Sequence, residues 1–241
     1  MIEKLKSTPV RDLASKGIKL LYRRYIRQYI PPTRVVNYNS VLVKKKRVFD
    51  KYVRDIGEDD PEYEGPLCSF IRDYVRTGDD VVVVGGGWGV SAVVAARETG
   101  ESGSVHIYEA GKRQYKRVIS TINLNCVADR CNVHHATVGT AVGAFNSPKD
   151  ATELTGADLP DADVLVVDCD GAEFEVMETL TTYPEQIIVE HHAVGTPDNI
   201  KVEYRPTRVK NKLSEMGYSI KGSSEINHWI DKNAHWVGVH Q

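Results

Sequence analysis

Val81-Val82-Val83-Val84-Gly85-Gly86-Gly87-Trp88-Gly89-Val90-Ser91 decides the fold class of this 241-residue chain. Four β-branched residues in a row describe a strand buried on both faces. The glycines describe a tight turn, and Ser91-Ala92-Val93-Val94-Ala95-Ala96-Arg97 a helix. That order brings bare backbone N–H groups and a helix N-terminus against a ligand. Twenty residues after Gly89, Glu109 closes a second strand-like run, Ser104-Val105-His106-Ile107-Tyr108. A carboxylate there can accept hydrogen bonds from both ribose hydroxyls of a nucleoside.

The glycine spacing narrows the ligand. A dinucleotide fingerprint, G-x-G-x-x-G, would need glycine at 85, 87 and 90, but position 90 is Val. Glycines at 85, 87 and 89 fit G-x-G-x-G, with Gly86 and Trp88 between them. This form recurs where the ligand is S-adenosylmethionine, which has no phosphate to neutralise and needs only close backbone approach. No Gly-Lys-Ser/Thr follows, which excludes a Walker loop. An NAD-dependent oxidoreductase on a related sheet remains the alternative enzyme class, weakened by Val90.

Beyond this segment strand-like and helix-like runs alternate, which predicts a mostly parallel sheet with helices on both faces. Strands are expected at 81–84, 104–108, 132–138, 163–167, 187–190, 217–222 and 234–240. Helices are expected near 66–77, 88–99, 112–124, 171–181 and 204–216. The last two strands follow one another across a short Gly/Ser/Asn-rich stretch, so the sheet should end in an antiparallel strand. Seven strands with that ending match the Rossmann-like class I methyltransferase layout. Residues 139–162 lack clear periodicity and read as an insertion on the ligand side.

Asp163-Val164-Leu165-Val166-Val167-Asp168-Cys169-Asp170-Gly171-Ala172-Glu173 is the second informative segment. A buried strand delivers Asp168 to its C-terminal end, at the edge where open α/β sheets bind ligands. Gly171 allows a sharp exit, and Glu173 enters the first turn of the next helix, where the dipole favours a carboxylate. Gln186-Ile187-Ile188-Val189-Glu190-His191-His192 ends a neighbouring strand at the same edge.

Charge is unevenly distributed. The net charge is −2. Residues 1–54 hold 15 Lys and Arg against 3 Asp and Glu, or +12, and the remainder carries −14. Arg11 to Ile30 reads as a helix stopped by Pro31-Pro32. Ala14, Ile18, Leu21, Tyr22, Tyr25 and Tyr29 share one face, with Lys16, Lys19, Arg23 and Arg27 on the other. A basic amphipathic helix of this kind suits an anionic membrane surface; packing of its apolar face on the catalytic domain is the alternative. No RNA- or DNA-binding motif accompanies the charge, so no nucleic-acid partner is expected. The expected division is a basic N-terminal extension over 1–54 and a catalytic domain over 55–241. No apolar run approaches the ~20 residues needed to cross a bilayer. The N-terminus lacks the apolar segment and cleavage site of a secretory signal. Cys68, Cys126, Cys131 and Cys169 form no C-x-x-C pair and read as reduced, mostly buried thiols. The expected location is therefore cytoplasmic, peripheral at the inner membrane face if the arm binds lipid.

The V-x-V-G-G-G-W-G-V-S turn, the D-x-D/E-G-A-E strand end and the later I-I-V-E-x-H strand together resemble the FkbM family of S-adenosylmethionine-dependent methyltransferases. Archaeal members are especially similar, including Pro61-Glu62-Tyr63-Glu64-Gly65 and Asn132-Val133-His134-His135-Ala136. The resemblance covers roughly residues 38–241. It implies O-methylation, commonly of sugars or sugar-containing metabolites, with a lipid-linked or N-glycan acceptor as one setting and a hexuronic acid carboxylate as one target. It implies Gly85, Gly87 and Gly89 as cofactor-contacting backbone and Glu109 as ribose ligand; Gly86, Trp88, Ala136 and Thr137 are further expected cofactor contacts. Asp168 becomes a methionine-end or acceptor-side residue. The family usually has Glu where this chain has Asp170.

Methyl transfer from a sulfonium is an in-line displacement, so alignment of acceptor oxygen, methyl carbon and sulfur is the main requirement. A hydroxyl acceptor also needs its proton removed, for which His191 and His192 are candidates, with Glu190 as orienter or alternative base. A carboxylate acceptor needs a cationic clamp instead, and Lys201, Arg205 and Arg208 lie nearby in sequence. Asp168, Asp170 and Glu190 could offer oxygen ligands to Mg²⁺, but the resemblance does not require a metal and none is expected. A non-catalytic membrane or assembly module is the remaining alternative.

Overall fold

A computed structural model of the chain describes residues 34–45, 59–140, 150–192, 195–196, 199–200, 206–223 and 233–240, with positions 21, 25, 26 and 29. The rest of the expected helix over 11–30, and Lys201 and Arg205, lie outside the described residues. The chain divides into two compact units, Met1–Val36 with Lys44–Glu58, and Asn37–Val43 with Asp59–Gln241. In the first, Leu21, Tyr25 and Tyr29 are exposed.

A hairpin opens the described chain, β1 (Arg34–Tyr38) and β2 (Val41–Lys45), and β1 pairs in parallel with the short β3 (Asp59–Asp60). Helix α1 (Gly65–Tyr74) leads to β4 (Asp80–Val84), α2 (Val90–Glu98), β5 (Ser104–Tyr108), α3 (Lys112–Leu124) and β6 (Cys131–His134). Then follow β7 (Ala136–Val138), β8 (Thr152–Leu154), β9 (Val164–Val167), α4 (Glu173–Glu178) and β10 (Gln186–His192). The short pair β11 (Gly195–Thr196) and β12 (Asn199–Ile200), helix α5 (Pro206–Glu215), β13 (Tyr218–Ser223) and β14 (Asn233–His240) complete it.

Seven strands form one sheet in the order β13-β14-β10-β9-β4-β5-β6. β14 runs antiparallel to both β10 and β13, and the other pairings are parallel. This is the expected architecture, including the antiparallel last strand. The strand order reverses between β4 and β9, and the crevice at their C-terminal ends is where such sheets hold ligands.

Both faces of the sheet are covered, which explains why its central strands read as unbroken apolar runs. Val82, Val84, Leu165, Val167, Ile187 and Val189 pack with Val176 and Met177 of α4 and Val209 and Leu213 of α5. Their strand neighbours Val81, Val83, Val164, Val166 and Ile188 are equally buried on the opposite face. There α1 packs on α2 and β10, and α2 on α3. Every residue of α2 from Val90 to Ala96 is buried. Small Ala and Val side chains let a helix surrounded on all sides fit between sheet and neighbours.

Two elements depart from expectation. The strand predicted over 132–138 breaks at His135: β6 stays in the main sheet, while β7 leaves it to pair in parallel with β8. The β5–β6 ladder runs one residue further, Glu109 donating its N–H to the His134 carbonyl and accepting that of Ala136 at its own, before the chain turns away into β7. β8 lies in the stretch read as an insertion without periodicity, and residues 141–149 of that stretch lie outside the described ones. Of the four thiols, all free, Cys68 is buried but Cys126 is exposed.

Candidate active site

β4 ends against β9. A Cβ at Gly85, where φ is +98°, would overlap the Asp168 carbonyl oxygen, so only glycine lets β4 and β9 lie this close at their tips. The two strands are tied there by the Asp168 N–H donating to the Val84 carbonyl at 2.8 Å. Gly86 is closed in by α3, since a Cβ would stand 2.7 Å from Val118 Cγ2. Gly89, with φ +81°, caps α2.

Glu109 organises this turn. Its Oε2 accepts the N–H groups of Gly86 at 3.0 Å and Gly87 at 2.9 Å, and its Oε1 accepts that of Gly111 at 2.6 Å. Burial raises the Glu109 carboxyl above its ordinary value, against the opposing pull of these three N–H donors; Asp170 adds to the rise.

A cavity of about 450 Å³ opens at the strand tips, a volume suited to a small-molecule ligand. Gly85, Gly87, Trp88 and Glu109 line it, as do Ala136, Thr137 and Asp168. Gly86 and Gly89 do not: one gives its N–H to Glu109 and the other begins a helix. Asp170, in the left-handed region at φ 54°, and the nearly buried Glu190 complete an acidic side. Arg117 is the basic residue among the described lining, its guanidinium 4.1 Å from the Trp88 ring centroid.

His191 is not brought to the cavity. Alternation along β10 puts Ile187, Val189 and His191 on the α4–α5 face, opposite Glu190. There His191 is buried, its Nδ1 3.6 Å from Oε2 of the fully buried Glu173, whose Oε1 accepts the Gly171 N–H at 2.9 Å. His192 pairs with Asn233 through the backbone, and its side chain lies outside the described ones. Arg208, one of the cations considered for a carboxylate clamp, lies over the Phe174 ring at 3.6 Å. Among the described residues no group of three or more His, Cys, Asp and Glu could hold a metal ion. No described helix is long and apolar enough to cross a membrane.

Tyr63 and Glu64 are among the lining residues that the sequence did not mark as site residues. They precede α1, and neither periodicity nor a nucleotide motif marks them; their signal is the Tyr-Glu-Gly-Pro lead-in that accompanies the glycine turn. The Tyr63 ring stacks on Tyr38 at 4.4 Å. Burial and the neighbouring Glu64 carboxylate, to which it hydrogen-bonds, raise its hydroxyl well above the ordinary tyrosine value, so it is a donor at neutral pH.

No protein-family model matches the chain, and no curated protein does. Solved structures do. A Clostridium thermocellum protein described as an rRNA methylase superposes with a TM-score of 0.51 at 17% identity, over 73% of this chain and 93% of its own. An S-adenosylmethionine-dependent O-methyltransferase of Thermotoga maritima gives 0.50 at 14%, over 87% and 78%. Aeropyrum pernix fibrillarin with bound S-adenosylmethionine gives 0.50 at 13%, over 83% and 89%. The fold is that of the Rossmann-like class I methyltransferases.

Proposed function

We propose that this chain is an S-adenosylmethionine-dependent O-methyltransferase of the FkbM type, acting on a sugar or glycan hydroxyl. The observation that carries the reading is the pairing of the glycine turn with Glu109 at the mouth of the cavity. A nucleoside whose ribose meets Glu109 lies across the tips of β4 and β5. Its sulfonium then comes beside Asp168, on the side where the strand order reverses. The fold neighbours supply the class of chemistry, and one of them carries this cofactor. The sugar comes from the motif resemblance alone.

Charge favours a hydroxyl acceptor over a carboxylate. Glu64, Glu109, Asp168, Asp170 and Glu190 line one cavity with Arg117. Such a lining attracts a sulfonium and repels a second carboxylate at short range. Glu190 and Asp168, two carboxylates of that lining, are the candidates to take the hydroxyl proton as the oxygen meets the methyl carbon. Water exclusion and alignment would do the rest.

The basic extension over 1–54 supports a location at an anionic membrane, where a lipid-linked acceptor would be presented. Its excess of twelve positive charges and the exposed Leu21, Tyr25 and Tyr29 are the features that favour it.

Calorimetric titration of S-adenosylhomocysteine against NAD tests the cofactor, with preference for the thioether nucleoside expected. Radiolabel transfer from S-adenosylmethionine to a fractionated glycolipid extract tests the acceptor. Label stable to mild base is the expected ether, and base-labile label would mean an ester and refute the hydroxyl reading. Equal partitioning of the full chain and residues 55–241 onto anionic vesicles would refute the membrane role.

A further inference from the structure

We infer that Glu64 holds the ammonium group of the cofactor's amino-acid tail, which makes the α1 lead-in the tail-binding half of the site. The inference rests on the cofactor reading above. Glu64 is a non-glycine residue in the left-handed region, φ 50° and ψ 29°, at the N-cap of α1. A glycine would take this conformation without strain, and a strained side-chain-bearing residue beside a cavity points to a use for that side chain.

The turn is held from several sides. The Asn39 side chain donates to the carbonyls of Pro61 and Tyr63, and Arg72 donates to both the Asn39 carbonyl and its side-chain oxygen. The Glu64 carbonyl accepts the Cys68 N–H at 2.9 Å. These contacts fix the turn that places Glu64 in the cavity lining, and its Oε2 accepts the Ser91 N–H of α2 at 3.3 Å. A Cβ built on Gly87 would lie 3.9 Å from Glu64 Oε1, while the Gly87 N–H donates to Glu109. Gly87 thus stands between two carboxylates, one on each side of the glycine turn.

The cofactor offers complementary groups at its two ends. A ribose hydroxyl is a donor for the remaining lone pair of Glu109, and the tail ends in an ammonium, a cation with three donors. With the ribose on the Glu109 side of Gly87, the chain leading through sulfur to the tail passes toward Glu64. Tyr63, hydrogen-bonded to Glu64, keeps that carboxylate oriented.

Comparing S-adenosylhomocysteine with 5′-methylthioadenosine, which keeps adenosine and sulfur but lacks the amino-acid tail, isolates the tail contact. Glu64→Gln should weaken S-adenosylhomocysteine binding about tenfold or more, the scale of a lost charge-assisted contact, and leave methylthioadenosine within about twofold. Glu64→Asp should retain part of the preference for the tailed ligand, and Glu109→Gln should weaken both ligands together. The readout is the ratio of the two affinities, which a purely structural role for Glu64 at Ser91 would not move. An unchanged ratio in Glu64→Gln overturns the assignment while leaving the cofactor reading intact. Failure of the unaltered chain to bind either ligand overturns both.

Discussion

Replacing Glu109 by Gln should impair ligand binding far more than folding. Three N–H groups converge on the native carboxylate, at 3.0, 2.9 and 2.6 Å. A carboxylate has about four acceptor sites, so a ribose bound here would be left with the free lone pair of Oε1. An amide has one acceptor oxygen. Turned its best way, that oxygen keeps Gly86 and Gly87, and the NH2 group opposes the Gly111 N–H. Losing that bond costs about 1–3 kcal/mol, and the two that remain weaken as the acceptor loses its charge. Against this, the variant no longer buries a charge, and burial is the largest influence on the Glu109 carboxyl. The two effects oppose, so the net stability change should stay near 1 kcal/mol, about 2–4 °C in midpoint. Binding has no such offset. A ribose hydroxyl meets an NH2 group in place of a charged oxygen, a loss of about 1.5–3 kcal/mol or roughly 10–150-fold in Kd.

The pH dependence follows from the raised carboxyl. Ribose binding needs the ionised form, so native affinity should fall as pH drops through a value above the ordinary 4.5, and the Gln variant should be flat there. Stability runs the other way. A carboxyl raised in the folded state contributes stability that is fully present below its unfolded value and lost as pH rises through the folded one. Titration calorimetry with S-adenosylhomocysteine, beside thermal melts across that range, measures both. An unchanged Kd, or a variant that keeps the native pH dependence of binding, would refute the placement of the ribose.

Gly85→Ala should destabilise by about 3 kcal/mol or more, combining left-handed strain with overlap on the Asp168 carbonyl; a melt within a few degrees of native would refute the strand-tip geometry. His191→Ala should cost about 2–4 kcal/mol, because it leaves a cavity beside Glu173, yet turnover per folded molecule should hold. Loss of turnover with native stability would restore His191 as the base. S-adenosylmethionine should bind more tightly than its product, since the product lacks the sulfonium charge that the acidic lining attracts. At about 8 Å and an effective dielectric constant near 20, one such charge pair is worth about 2 kcal/mol. Equal affinities by calorimetry would place the sulfur away from Asp168 and Glu190.

The glycine turn, Glu109 and Asp168 were legible in the amino-acid order because each depends on a local rule. A β-branched run followed by glycines can only be a buried strand meeting a turn, and the acids that close successive parallel strands must emerge at one edge. Alternation along β10 likewise required Glu190 and His191 to point to opposite faces. Which of them met the cavity was not legible, because β10 is apolar on both faces and its phase carries no hydropathy signal. Packing decided it: Ile187 and Val189 join the α4–α5 core, and His191 follows them to Glu173. Tyr63 and Glu64 were hidden for a different reason. Their place beside Gly87 comes from a left-handed turn held by Asn39 and Arg72, contacts that reach 22 to 33 residues along the chain. Order along the chain sets strands, turns and the edge they share, whereas only long-range packing selects which side of a doubly covered strand faces the ligand.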